Sequence, residues 1–167
     1  MAFLIGDFET VIDGKKRLAI NASFRDLIDP AVDGENWILI LGLDRHLWLY
    51  PDLAYRRMMA QIQPSPLPDR EASSIGLLYA VSRYLKSDSQ GRVVLPEKSM
   101  ERASLGEQVT LVGANDHIEI WPTEEWERHV QHELPRYGEA LMAANHQRRA
   151  SSQVAGQAPS QNSSRIV

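Results

Sequence analysis

Two five-residue segments carry residue types that could do chemistry: Asp13-Gly14-Lys15-Lys16-Arg17 and Asp88-Ser89-Gln90-Gly91-Arg92. In each, an aspartate precedes an arginine by four positions across residues common in turns. The aspartate can accept hydrogen bonds from the amides that follow it, and the arginine can pair with an acid or pack its stem. Asp13, Asp88 and Gly91 are therefore candidates for shaping the turns. Lys15, Lys16, Arg17 and Arg92 add a second possibility, contact with phosphates or with guanine edges. One Asp-x-x-x-Arg match has little specificity. Its recurrence in a single chain raises the interest.

The elements around the turns recur too. LGLDRHLWLYP (Leu41 to Pro51) aligns without a gap on VGANDHIEIWP (Val112 to Pro122), with Gly42 on Gly113, His46 on His117 and Pro51 on Pro122, each 71 residues apart. DGKKRLAI (Asp13 to Ile20) resembles DSQGRVVL (Asp88 to Leu95) at an offset of 75, and the longer loop DPAVDGEN in the first copy accounts for the difference. Each copy reads as two short hairpins around a small helix. FETVI and RLAI flank the first turn, SFRDLI is opened by Asn21 or Ser23, and WILIL and LWLY form a second strand pair. A helix over DLAYRRMMAQI ends at Pro64, Pro66 and Pro68. The second copy runs YAVSRYL, VVL, PEKSMERA, EQVTLVG and HIEIW, then a helix from Pro122 or Thr123 with Glu124 and Glu125 in its first turn. One copy, about 40 residues, is too short to bury a core alone, so two copies packed about a pseudo-two-fold are expected. The pattern predicts an α+β fold with short antiparallel strands. Its parts are a first repeat with its helix over 1–63, a connecting segment and helix over 64–80, a second repeat with its helix over 81–144, and a disordered polar tail over 145–167.

Composition sets the bounds. The 167 residues hold no cysteine, which excludes disulfides, thiolate metal sites and thiol nucleophiles. No apolar run approaches the ~20 residues of a membrane span, and Asp7 and Glu9 interrupt the only apolar start too early for a signal peptide, so a cytoplasmic protein is expected. The formal charge of −4 is uneven. The segment from Asn145 has three Arg and no acid, leaving 15 basic against 22 acidic residues in the first 144, a charge of −7. An acidic body counts against nucleic-acid binding unless the basic residues are concentrated, as they are in Lys15 to Arg17. Fourteen of the 18 basic residues are Arg, the type suited to planar bidentate contacts.

The two Asp-x-x-x-Arg turns, RLAI followed by FRDL, LWLYP and IEIWP closing the two halves, and EEWERH after the second resemble the MraZ family over about Met1 to Ala143. The resemblance implies tandem swapped-hairpin AbrB (SpoVT-AbrB) β-barrel modules with flanking helices. It also implies a transcription factor of the cytoplasm and nucleoid, without enzyme activity or cofactor. MraZ proteins assemble as rings, bind short direct repeats of double-stranded DNA upstream of the division and cell-wall gene cluster, and typically repress it. Arg17 and Arg92 match the family's DNA-contacting turn residues. Lys15 stands where the first motif commonly has Lys, and Gln90 holds that place in the second. The chain departs from the pattern in having Lys16 for the usual glycine and Asn21 for the usual proline. The first turn is therefore expected to supply more electrostatic affinity than the second.

Three or four basic contacts per chain bind DNA weakly at physiological salt, so an oligomer engaging several repeats is a mechanistic requirement of this reading. Other readings remain beside it. An oligomeric scaffold or protein-interaction module could keep the fold without DNA recognition, and a single-module partner-binding antitoxin is a third possibility. His129 and His132 have helical spacing that could hold a metal, but three or four converging ligands are needed, and a solvated helix face is the simpler account. His46 and His117 are expected to share a structural role. Trp37, Trp48, Tyr50, Trp121 and Trp126 are expected in the core or at a subunit interface. No GxSxG, P-loop or dinucleotide fingerprint occurs.

Overall fold

Short runs rich in aliphatic, β-branched and aromatic residues set the strands, continuous in WILIL and LWLYP and alternating with polar residues in DFETV. In the computed structural model, which describes residues 2–62 and 70–155, these are β1 (Asp7–Val11), β2 (Arg17–Ala19), β3 (Trp37–Leu41), β4 (Leu47–Pro51), β5 (Arg83–Leu85), β6 (Arg92–Val94), β7 (Gln108–Gly113) and β8 (Ile118–Pro122). Helices α1 (Ala22–Arg25), α2 (Asp52–Met59), α3 (Arg70–Val81), α4 (Glu97–Arg102), α5 (Thr123–Glu133) and α6 (Tyr137–Ala155) lie between and after them. The chain divides into two compact units, residues 1–126 and 127–167. The fold is α+β, with every strand pairing antiparallel.

Six strands form one sheet in the order β1-β7-β8-β4-β3-β5, and β2 and β6 form a separate two-stranded ribbon. The first strand of each half pairs with a strand of the other half: β1 with β7, and β5 with β3. The register has an internal symmetry. In the β4–β8 pair Trp48 faces Glu119, 71 positions on, and the flanking pairs Leu47–Ile120 and Leu49–Ile118 interchange under the same offset. In the ribbon Leu18 faces Val93, 75 positions on, flanked by Arg17–Val94 and Ala19–Arg92.

The ribbon's inward residues Leu18 and Val93, with Ile20 and Leu95 just beyond it, join Phe24, Leu47, Leu49, Leu111, Ile118 and Ile120 in one core. Full burial of a side chain such as Phe24 is worth roughly 1.5–3 kcal/mol. A second cluster of Ile40, Tyr50 and Tyr55, with Leu78 and Met59 against it, brings α2 and α3 onto other residues of β3 and β4.

One local detail differs from the sequence expectation. The segment YAVSRYL, read among the strands of the second copy, begins in helix: α3 runs to Val81, one residue past the expected helix end at 80, and β5 starts only at Arg83. The reason is tertiary. Leu78 packs on the second cluster, Ser82 Oγ donates to Leu78 O at 2.6 Å, and Arg83 donates to Ala80 O and Ser82 O at 2.8 and 2.7 Å, closing the helix end. Arg57, on the exposed side of α2, donates to Val32 O and lies 3.5 Å from the buried Asp33 carboxylate, which fastens the long loop of the first half to α2. The Pro64, Pro66 and Pro68 cluster lies outside the described residues, as do residues 156–167. The segment from Asn145 begins inside α6.

Candidate nucleic-acid interface

Each turn is built by its aspartate. Asp13 Oδ1 accepts from the Lys15 and Arg17 amides at 2.9 Å each, and Oδ2 accepts from Arg17 Nε at 2.6 Å. Asp88 repeats this atom for atom. Oδ1 accepts from the Gln90 and Arg92 amides at 2.9 Å each, and Oδ2 accepts from Arg92 Nε at 2.8 Å. The amides of Lys16 and Gly91 donate to Asp13 O and Asp88 O, both at 2.9 Å. These bonds to the ionised form hold both carboxyls below the ordinary aspartate range. The amide of Arg17 or Arg92 is the largest influence in each case, and burial is too slight to reverse it.

The same bonds aim the arginines. Each guanidinium is fixed through Nε, so its Nη edge is available for the bidentate contact that arginine makes to phosphate or guanine. Inward Leu18 and Val93 put Arg17, Ala19, Arg92 and Val94 on the ribbon's outward face. Arg17 and Arg92 are diagonal neighbours there, with a backbone separation of about 7–8 Å. A two-stranded ribbon of this kind fits a DNA major groove, which is about 12 Å wide.

The turns differ in charge and backbone. Residues 13–17 set Asp13 against three cations, a net of +2, while residues 88–92 set Asp88 against Arg92, a net of zero. Lys16 has φ 61° and Gly91 φ 73°, so the first turn keeps a lysine in the left-handed conformation that glycine adopts freely. Each turn is anchored to the other half. Lys16 O accepts from Leu95 N at 2.9 Å, and Gly91 O accepts from Ile20 N at 3.0 Å. Asn21 opens α1 by accepting from Ser23 N at 2.8 Å, and Pro96 opens α4 without a side-chain cap. A recess of about 410 Å³ beside the second turn is lined by Arg25, Asn36, Ser87, Ser89 and Gly91 among others.

A second cross-half arrangement has no motif to announce it. His46 stacks on Trp121 with centroids 3.8 Å apart, and His117 stacks on Tyr50 at 4.7 Å. Each histidine thus covers the aromatic before the proline of the other hairpin. His117 Nδ1 lies 2.7 Å from Asp116 Oδ1, and its Nε2 is 3.4 Å from Glu119 Oε1. Burial disfavours the charged ring, but the Glu119 and Asp116 carboxylates outweigh it and raise the His117 pKa above its ordinary value. His46 Nε2 lies 3.2 Å from Glu125 Oε2. Trp37 and Tyr50 are buried, while Trp48, Trp121 and Trp126 are half-buried. Trp126 Nε1 donates to Asp7 Oδ2 at 2.8 Å.

In the second unit, His132 pairs with its neighbour Glu133 at 2.7 Å and is exposed. Among the described residues, no three His, Asp or Glu side chains are grouped to hold a metal ion, and no helix is long and apolar enough to cross a membrane.

Residues 81–141 match the family model described as "MraZ protein, putative antitoxin-like". The chain is 33% identical over 124 residues to a transcriptional regulator MraZ of Lactiplantibacillus plantarum, covering 74% of this chain and 84% of the relative. Proteins of the same name from Roseiflexus castenholzii and Herpetosiphon aurantiacus are 32% and 36% identical, each over 74% of this chain and 83% of the relative. With this level of identity across most of both sequences, the chain belongs to the MraZ family.

Proposed function

We propose that this protein is a sequence-specific DNA-binding transcriptional regulator in which the β2–β6 ribbon and its two turns form the recognition surface. The reading includes two tandem swapped-hairpin modules that exchange strands, and it takes Lys15, Lys16, Arg17 and Arg92 as the DNA contacts. The single observation that carries it is the outward ribbon face, where two guanidiniums are each fixed through Nε by a turn aspartate. Exchange of β1 and β5 between halves and the self-matching registers at Trp48–Glu119 and Leu18–Val93 support the duplicated architecture. The relatives' name supports the regulatory role.

The acidic body is compatible with this role. Beyond ~8 Å at physiological salt, charges elsewhere are largely screened, so the local field of the turns dominates. Few contacts per chain require linked subunits on repeated sites, hence a ring-shaped homo-oligomer on short direct repeats in promoter regions, acting in the cytoplasm and nucleoid. Repression of a division and cell-wall gene cluster is the regulatory outcome we infer from the family resemblance. The test is fluorescence anisotropy or gel shift with duplex from the chain's own upstream region over a salt series. Salt-dependent binding confined to repeat-bearing duplex is expected, with a slope of about −0.9 per phosphate neutralised. Absence of binding at ~50 mM salt would favour the scaffold reading.

A further inference from the structure

The second turn is neutral where the first carries +2, yet it is the turn with glycine at the left-handed position. Glycine is there for a reason beyond φ. A Cβ on Gly91 would lie 2.7 Å from both Cδ and Nε of Arg25, a residue of the other half. The Arg25 side chain therefore occupies the space that Lys16 fills with its own stem in the first turn.

Three features hold it there. Asn21 caps α1 and sets the helix start. Arg25 Nε donates to Ile20 O at 3.2 Å, and Ile20 N in turn donates to Gly91 O at 3.0 Å. The arginine stem thus rides on the bonds that tie β2 to the second turn. Arg25 is exposed and borders the 410 Å³ recess, so its Nη edge is open to a ligand. Ile20 O is its one hydrogen-bond acceptor among the described residues. The equivalent position after β6, 75 residues on, is the buried Met100, so no cation stands at the matching position for the first turn.

We propose that Arg25 supplies the second turn's missing cation and binds a backbone phosphate of duplex DNA beside Arg92. This rests on the DNA-binding reading and deepens it. The first turn carries its extra charge in its own sequence, at the position of Lys16. The second receives it from the other half through the space that Gly91 leaves. Arg25 assigned this way makes the two turns closer in electrostatic strength than their sequences suggest.

The experiment compares the full chain with Arg25→Gln and Arg25→Lys, by anisotropy on repeat-bearing duplex across a salt series, with thermal melts alongside. Arg25→Gln keeps a donor for Ile20 O and loses the charge. It should bind more weakly, with the loss shrinking as salt rises and the salt slope reduced by about 0.9 for each phosphate contact removed. Arg25→Lys should recover the slope. Parental affinity and slope in Arg25→Gln would overturn this inference and leave the DNA-binding reading intact. No binding by the parent at low salt would overturn both. Phenylglyoxal modification of the unaltered protein, read by mass spectrometry, covers the case of a poorly folded variant. Arg25 should be protected by duplex, and equal modification with and without saturating DNA would refute the assignment.

Discussion

Lys16 and Gly91 occupy the same left-handed position in the two turns and solve different problems there. A non-glycine residue in that conformation costs roughly 1–2 kcal/mol, and glycine costs about 0.5–1 kcal/mol in chain entropy. Lys16→Gly is therefore expected to raise stability by up to about 1 kcal/mol while weakening DNA affinity, the two changes having opposite signs. Denaturant midpoints and anisotropy on the same variant check this. Gly91→Ala combines the strained φ with a clash against Arg25 and should lower stability by at least ~1–2 kcal/mol. His117 makes a separate prediction. Its pKa is raised in the fold, so its stabilising contribution is present below the ordinary value of 6.5 and is lost as pH rises through the raised value. The melting temperature should fall across that interval, and His117→Gln should flatten the fall.

At the level of elements, the ribbon couples the proposed recognition face to the core. Leu18 and Val93 sit opposite each other facing inward, so the same three-residue strands that present Arg17 and Arg92 also cover the core. Leu18→Ala should cost about 2–5 kcal/mol by chemical denaturation. Its DNA binding should fall with the folded fraction, because the outward face is unchanged. The turn charges give the complementary case. Losing Lys15 and Lys16 together should weaken binding more than losing Arg92, since turn 1 holds +2 in residues 13–17 and turn 2 nothing net. An equal or larger loss from Arg92→Ala would contradict that ranking.

For the whole molecule, the acidic balance and the small number of contacts argue against tight binding by a single chain. Linking contacts across subunits can add about 10²–10⁴ in affinity. A duplex with one isolated repeat should therefore bind far more weakly than a tandem array of the same boxes. Equal affinity for the two, measured at one salt concentration, would remove the avidity account. Sedimentation of the free chain gives the companion measurement, an assembly larger than a monomer.

Much of this was legible in the residues alone. Both Asp-x-x-x-Arg turns, the matched hairpins and the small helices follow from turn chemistry and alternating hydrophobicity, which act over a few residues. The end of α3 was not, because Leu78, Ser82 and Arg83 fix it through packing and carbonyl capping that propensity cannot report. The partner of each histidine and the exchange of β1 and β5 between halves depended on pairing between residues more than 40 positions apart. The bond from Arg57 to the long loop and the seating of Arg25 over Gly91 likewise depended on contacts between separate elements. The sequence by itself determined which residues make the turns and how charge divides between them. Only the tertiary structure decided that the two turns share one ribbon face and that a cation from one half stands beside the turn of the other. Local bonding is written in neighbouring residues, whereas juxtaposition across the duplication is set by strand register and burial.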